Sequence, residues 1–352
     1  MTLAADAPLT IVLPRERRAR LVRVGLFLFL ALAVYVSITT GAAGTSPWTT
    51  LAQWLRGEEI ALADKVVLLN IRLPRLALGL LVGSALAVAG AVMQGLFRNP
   101  LADPGLVGVS AGAGLGAVLA IVLGGALPFA LGAWLVPSAA FIGGLCTTIV
   151  LYMVATRSGR TSIATMLLAG IAIAALTGAV TGVMVYVADD TQLRDLTFWN
   201  LGSLAGSTWA KVFAAAPIII PALLVTPFLA RGLNALALGE AAAGHMGVPV
   251  QKLKAAAIVS VAAATGAAVA VSGGIGFIGI VVPHILRLLN GPDHRALLPD
   301  AAVLGAAALL FADAVSRTIV APAELPIGVI TAVIGAPVFL WVLLRQRSAV
   351  DL

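Results

Sequence analysis

Charge is scarce in this sequence. Asp, Glu, Lys and Arg make up 11% of its 352 residues, while 61% are hydrophobic. An average soluble domain carries about 25% charged residues. So few charges cannot cover so much apolar surface in water, which excludes an ordinary cytosolic or secreted domain. The same apolar content excludes a disordered chain. Cysteine is nearly missing as well: Cys146 stands alone inside an apolar run. No intrachain disulfide and no cysteine-built zinc or iron–sulfur site can form. Histidine occurs three times, as His245, His284 and His294. No glycine precedes any of the four lysines, so a phosphate-binding Walker A loop is excluded.

What the chain has instead is long apolar runs, with a mean hydropathy of +1.06. A helix needs about 20 apolar residues to cross the hydrocarbon core. Runs at 21–38 and 76–97 meet this, and the uncharged stretch 104–156 is long enough for two spans, turning near Gly124, Gly125 and Pro128. Further runs lie at 161–188 and 212–230, then at 255–286, which breaks near Gly273-Gly274 into a span and a short second one. The last two lie at 300–317 and 325–344. The pattern predicts an all-α polytopic membrane protein with ten transmembrane helices in one domain over 1–352. An even number puts both termini on one side. With the N-terminus inside, inner segments hold fifteen Arg and Lys and outer segments seven, so the chain reads as N-in/C-in. Arg15, Arg17, Arg18, Arg20 and Arg23 form the cytoplasmic flank of the first span, with a tail over 1–20. A net charge of +7 raises nucleic-acid binding, but the basic residues are scattered at segment ends with no basic face. A secretory signal is set aside too, because the first apolar run continues to Ile38 and 41–44 is a poor cleavage site.

The spans are crowded with small residues, as at Gly79, Gly83, Ala87 and Gly90, which lets helices approach closely in lipid. Stretches 95–112 and 273–292 are both interrupted by Gly and Pro and follow spans running in opposite directions, a hint of an inverted repeat. Gly108-Val109-Ser110-Ala111-Gly112 fits the nucleophile-elbow pattern, which raises an intramembrane serine hydrolase on Ser110. Such an enzyme needs a base, and only His284 lies near a span, so small residues opening a helix are the simpler reading. Apart from Asp313, near one end of the ninth span, the spans carry no acid at their centres. That argues against a proton or sodium relay, and any energy must come from another chain. The segment 231–250, between spans six and seven, is cytoplasmic yet apolar. Leu233, Leu236 and Leu238 predict a short helix there, bent at Gly239, Gly244 and Gly247, with Met246 and Val248 as an exposed apolar face. It reads as a docking surface for a partner or as a helix lying on lipid.

Several blocks are more specific. They are Arg72-Leu73-Pro74-Arg75, Gly90-Ala91-Val92-Met93-Gln94, Asn99-Pro100-Leu101-Ala102-Asp103-Pro104-Gly105, Ala237-Leu238-Gly239 with Gly244-His245-Met246-Gly247-Val248, Pro283-His284-Ile285-Leu286-Arg287, and Glu324-Leu325-Pro326-Ile327-Gly328. In this order, across about 66–345, the chain resembles the permease family of type II bacterial ABC importers for ferric siderophores, haem and cobalamin. The resemblance implies a multi-pass protein of the bacterial inner membrane, a homodimer around a central pathway. It implies two cytoplasmic ATPase subunits that hold ATP and Mg, and a periplasmic substrate-binding protein. The chain itself would be a permease and not an enzyme, with no cofactor or metal of its own and no nucleic-acid partner. Short cytoplasmic coupling helices would seat in the ATPase through Leu238, Gly239, Gly244, His245, Met246, Gly247 and Val248. Arg72, Arg75 and Arg317 would dock carboxylates of the binding protein. Asn99, Leu101, Thr161 and Ser162 would form the cytoplasmic gate. The connection Gln192-Leu193-Arg194-Asp195-Leu196-Thr197-Phe198-Trp199 with Leu201-Gly202-Ser203-Leu204 looks most like the haem-importing branch, with a ferric siderophore or cobalamin as the alternative cargo. His284 and Met184 are read as structural and not as haem-iron ligands.

Overall fold

The computed structural model describes residues 15–41, 46–126 and 132–350. Most of the expected tail, residues 42–44 and Pro128 lie outside the described residues. The first apolar run forms α1 (Arg15–Thr39). Two short helices follow, α2 (Pro47–Arg56) and α3 (Leu62–Val66), and a wider π turn over Val67–Arg72 leads into α4 (Leu73–Phe97). Next come α5 (Val109–Leu123) and α6 (Leu135–Ala155). A small antiparallel hairpin, β1 (Thr156–Arg157) and β2 (Arg160–Thr161), pairs Thr156 with Thr161 and turns the chain into α7 (Ile163–Val187). α8 (Asp190–Leu201) opens with a reciprocal capping box of Asp189 and Gln192. The remainder is α9 (Trp209–Leu236), α10 (Glu240–His245), α11 (Val250–Ser272), α12 (Ile278–Asn290), α13 (His294–Thr318) and α14 (Ile327–Val350).

Seven of these helices are long and apolar enough to cross a membrane, and Val109–Leu123, Ile278–Asn290 and Ile327–Trp341 are shorter apolar helices. The predicted break at Gly273-Gly274 is present: α11 stops at Ser272 and α12 begins at Ile278. One boundary differs. α9 does not stop at Ala230 but runs on to Leu236, because Leu233 and Leu236 bury fully against the bundle. The predicted separate helix through Leu233, Leu236 and Leu238 is therefore not separate: Leu233 and Leu236 end α9, and Leu238 lies in the turn that follows.

α4 and α11 are the centre, each with 72% of its apolar stretch buried, whereas α7 is buried over only 11%. Glycine pairs set the closest contacts. A Cβ on Gly83 of α4 would strike the carbonyl of Gly305 in α13, and a Cβ on Gly305 would strike that of Gly83. The two Gly/Pro-interrupted stretches meet beside α4. Gln94 Nε2 donates to the Gly279 carbonyl at 3.0 Å, and Gly279 lies against Pro104.

Polar bonds gather at the two ends of the bundle. At the end holding Arg75, Trp209 Nε1 donates to the Leu69 carbonyl at 2.8 Å, and the Ser203 and Ile327 amides reach the Ser272 and Gly202 carbonyls at 2.7 and 3.0 Å. At the end holding Arg98, Arg23 pairs with Asp300 at 3.1 Å and Asn234 Nδ2 donates to Asp293 at 2.7 Å.

Candidate functional site

Where the π turn passes into α4, Arg72 and Arg75 face Arg317 from the last turn of α13. All three are buried, at 5%, 7% and 7% exposure. Arg75 grips two carboxylates. Its Nε and Nη2 lie 3.0 and 2.8 Å from Asp313 Oδ1, and its Nη1 and Nη2 each lie 2.9 Å from an oxygen of Glu324. Arg317 Nη2 lies 3.0 Å from Asp313 Oδ2, and the same guanidinium donates to the Thr40 and Ser37 carbonyls. Arg72 donates to the Ile38 carbonyl at 2.6 Å. Buried charge is tolerated only when paired and hydrogen-bonded, and the forked guanidinium suits two carboxylates at once. Asp313 is fully buried, while the Glu324 side chain is 36% exposed. Three cations against two anions leave one positive charge in excess. Two of the three arginines expected to meet a partner's carboxylates thus have the chain's own acids as first partners, Arg75 with Asp313 and Glu324 and Arg317 with Asp313, because the ends of α1, α4 and α13 converge here.

At the Arg98 end, the chain leaves α9 and stands off the bundle. Leu238 is 70% exposed and Met246 54% exposed, with Gly244, His245 and Gly247 also exposed. Gly239 and Gly247 take φ of +106° and +80°, conformations that favour glycine, and so bracket α10. Ala243 is fully buried and seats α10 on the bundle. Val248 differs from expectation: it packs partly buried on the core, so the exposed apolar face is Leu238 with Met246.

Asn99 and Leu101 follow the left-handed cap of α4 at Arg98, with Asn99 Oδ1 accepting from the Leu101 amide at 2.9 Å. Asp103 makes a similar turn, accepting from the Gly105 amide at 2.7 Å. Burial pushes the Asp103 carboxyl above the ordinary carboxylate range, and the Gly105 amide partly offsets that. Thr161 is buried, and Ser162 caps α7 by accepting from the Thr165 amide at 3.2 Å. Among the described residues, the Asn99 turn and the Thr161 hairpin share no hydrogen bond. Arg98 lines both a cavity of about 450 Å³ with Asn99 and one of about 530 Å³ with Thr161 and Ser162.

A cavity of about 650 Å³ opens at the Arg75 end, walled by Trp134, Phe198 and Trp199, with Asp195 and Lys211 at its polar side. Ser110 is exposed at the start of α5. Among the described residues it is hydrogen-bonded to no histidine, and His294 Nδ1 is engaged with Asn234 Oδ1 at 2.8 Å. Two residues were given no role by the sequence. Asp313 was legible as a lone acid in an apolar run with an arginine one turn on, a spacing that pairs side chains on a helix. Lys254, 1% exposed, gave no signal, since nothing in the sequence says what it meets.

An apolar helical bundle with a buried centre, broken helices beside it and polar clusters at both ends is the architecture of a multi-pass membrane transport protein. The chain belongs to the FecCD transport family, whose family pattern matches residues 29–345. It is 50% identical over 280 residues to the hemin transport system permease protein HmuU of Yersinia pestis, covering 80% of this chain and 84% of that one. It is 40% identical over 344 residues to the vitamin B12 import system permease protein BtuC of Klebsiella pneumoniae, covering 97% and 99%. Among solved structures, a metal-chelate type ABC transporter in an inward-facing conformation matches with a TM-score of 0.80 and 30% identity over 91% of this chain and 97% of that one. The chain is therefore a transmembrane permease of the ABC transporter class.

Proposed function

We propose that this chain is the membrane-spanning subunit of an ATP-driven type II importer that moves haem from periplasm to cytoplasm by alternating access. The observation that carries the reading is the 50% identity to a hemin permease over 80% of the chain. In this reading the seven long and three shorter apolar helices are ten spans with both termini inside, and two copies enclose the pathway in the bacterial inner membrane. Two cytoplasmic ATPases bind ATP and Mg and seat on Leu238, Gly239, Gly244, His245, Met246, Gly247 and Val248. Their closure moves α10 and opens or seals the gate of Asn99, Leu101, Thr161 and Ser162. A periplasmic binding protein supplies cargo and docks over Arg72, Arg75 and Arg317. The excess positive charge of that cluster favours an approaching carboxylate, which would share Arg75 with the exposed Glu324. Such charge pairing chiefly sets register and on-rate. The cavity walled by Trp134, Phe198 and Trp199 is within the size range of small-molecule sites, and its flat apolar walls suit a porphyrin.

Cobalamin is the second reading, favoured by the match to a vitamin B12 permease over 97% of the chain. The test is uptake into proteoliposomes holding the permease with its ATPase, supplied with its binding protein and offered haem, a ferric siderophore and cobalamin in turn. ATP-dependent accumulation of haem alone is expected. Accumulation of cobalamin alone would keep the machine and replace the cargo. No uptake of any of the three by an assembled complex would overturn the reading.

A further inference from the structure

The lysine that the mechanism above leaves unused is, among the described residues, the most enclosed charge at the Arg98 end. Lys254 sits one turn into α11 and is 1% exposed. Its Nζ makes two contacts to two different pieces of chain. One is Glu240 Oε1, at 2.7 Å, on the first residue of α10. The other is the carbonyl of Thr161, at 2.8 Å, in β2 at the foot of α7. One turn earlier on α11, Gln251 Oε1 accepts from the amide of the same Thr161 at 2.9 Å. Both backbone polar groups of Thr161 are therefore held by α11 side chains, and Thr161 Oγ1 is held in turn by Thr156 Oγ1 at 3.0 Å. Glu240, Gln251, Thr161 and Ser162 also line one cavity of about 530 Å³.

We infer that Lys254 is the positioning residue that couples α10 to the Thr161 hairpin, so that displacement of the ATPase-docking segment is delivered to the gate. This rests on the proposed function, since it assumes that α10 meets the ATPase and that Thr161 belongs to the gate. The physics favours a link over simple packing. A methionine or leucine could fill the same volume, and replacing a buried ion pair by apolar residues is often neutral or stabilising. A lysine here adds direction: its two acceptors lie on separate elements, and neither can move away without leaving a buried ammonium short of a partner. Glu240 is 41% exposed at its side chain, so the anionic partner sits where a docking chain can reach or displace it. Gly239, with φ of +106° immediately before Glu240, takes a conformation that favours glycine and sets the bend between α9 and α10.

The experiment compares haem or cobalamin moved per ATP hydrolysed in proteoliposomes of the whole complex, using whichever of the two the unaltered complex accumulates. Lys254→Met keeps the volume and removes the charge. Glu240→Gln keeps Lys254 and its bond to Thr161 and weakens the link to α10. Both are expected to keep ATP hydrolysis while cargo per ATP falls about 5–150-fold, the range carried by typical coupling between two sites. Lys254→Arg, which retains charge and several donors, is expected to recover most of the ratio, a rescue that packing alone would not produce. If Lys254→Met does not assemble, Glu240→Gln decides. An unchanged ratio in Glu240→Gln, with unaltered uptake normal, would overturn the link and leave the proposed function standing. Absence of ATP-dependent uptake in the unaltered complex would overturn the proposed function itself, and the link with it.

Discussion

Asp313 is the residue on which the Arg75 cluster turns. It is fully buried and bonded to both Arg75 and Arg317. Asp313→Asn would leave three buried guanidiniums with Glu324 as their one carboxylate, and breaking a buried pair in this way costs about 3–5 kcal/mol. Glu324→Gln removes a partner that is partly exposed, where solvent screening holds the loss to about 1 kcal/mol. Thermal unfolding of the purified permease in detergent is expected to show the larger fall for Asp313→Asn. Equal falls would mean that burial is not what distinguishes the two acids. The sequence offered Asp313 as an oddity and the three arginines as span-end cations. Which acid meets which base was not legible, because Arg75 and Asp313 are 238 positions apart.

Helix packing depends on a few glycines and not on all of them. Gly305 faces the Gly83 backbone so closely that a Cβ cannot be placed without shifting α13 off α4. Overpacking of this kind costs about 1–3 kcal/mol. Gly178, on the peripheral α7, has nothing within 4 Å of where a Cβ would sit, so alanine there should cost nothing and stabilise the helix by about 0.5–1 kcal/mol through its better helix propensity. Melting curves of Gly305→Ala and Gly178→Ala test the contrast, and matched curves would show that α4 and α13 separate at no cost. The small-residue pattern was legible for both helices. What the sequence could not say is which glycines face a neighbour, since α4 and α7 are equally apolar.

For the whole molecule, the proposed orientation places α2 outside and the β1–β2 hairpin inside. The lone Cys146 lies within α6, and its replacement gives a background free of thiols. In Cys146→Ser, a cysteine at the exposed Arg56 is expected to react with a membrane-impermeant maleimide only from the periplasmic face, and a cysteine at the exposed Arg160 only from the cytoplasmic face. Labelling of both from one face would sink the alternating arrangement of α4, α5 and α6, which separate the two positions. α7, with 11% of its apolar stretch buried, leaves most of its apolar surface uncovered by the rest of the chain.

The apolar runs, their breaks at Gly273-Gly274 and after Phe97, and the family blocks were determined by the sequence alone. Hydrophobicity and glycine act locally, and a membrane solvent leaves an apolar run little choice but a helix. Only the tertiary structure decided the rest. It carried α9 on to Leu236, turned Val248 inward, closed Arg75 on Asp313 and Glu324, and brought Lys254 between Glu240 and Thr161. The reason is physical: a buried charge is stable only beside partners, those partners come from distant segments, and their meeting is fixed by how the helices pack and not by the order of residues along any one of them.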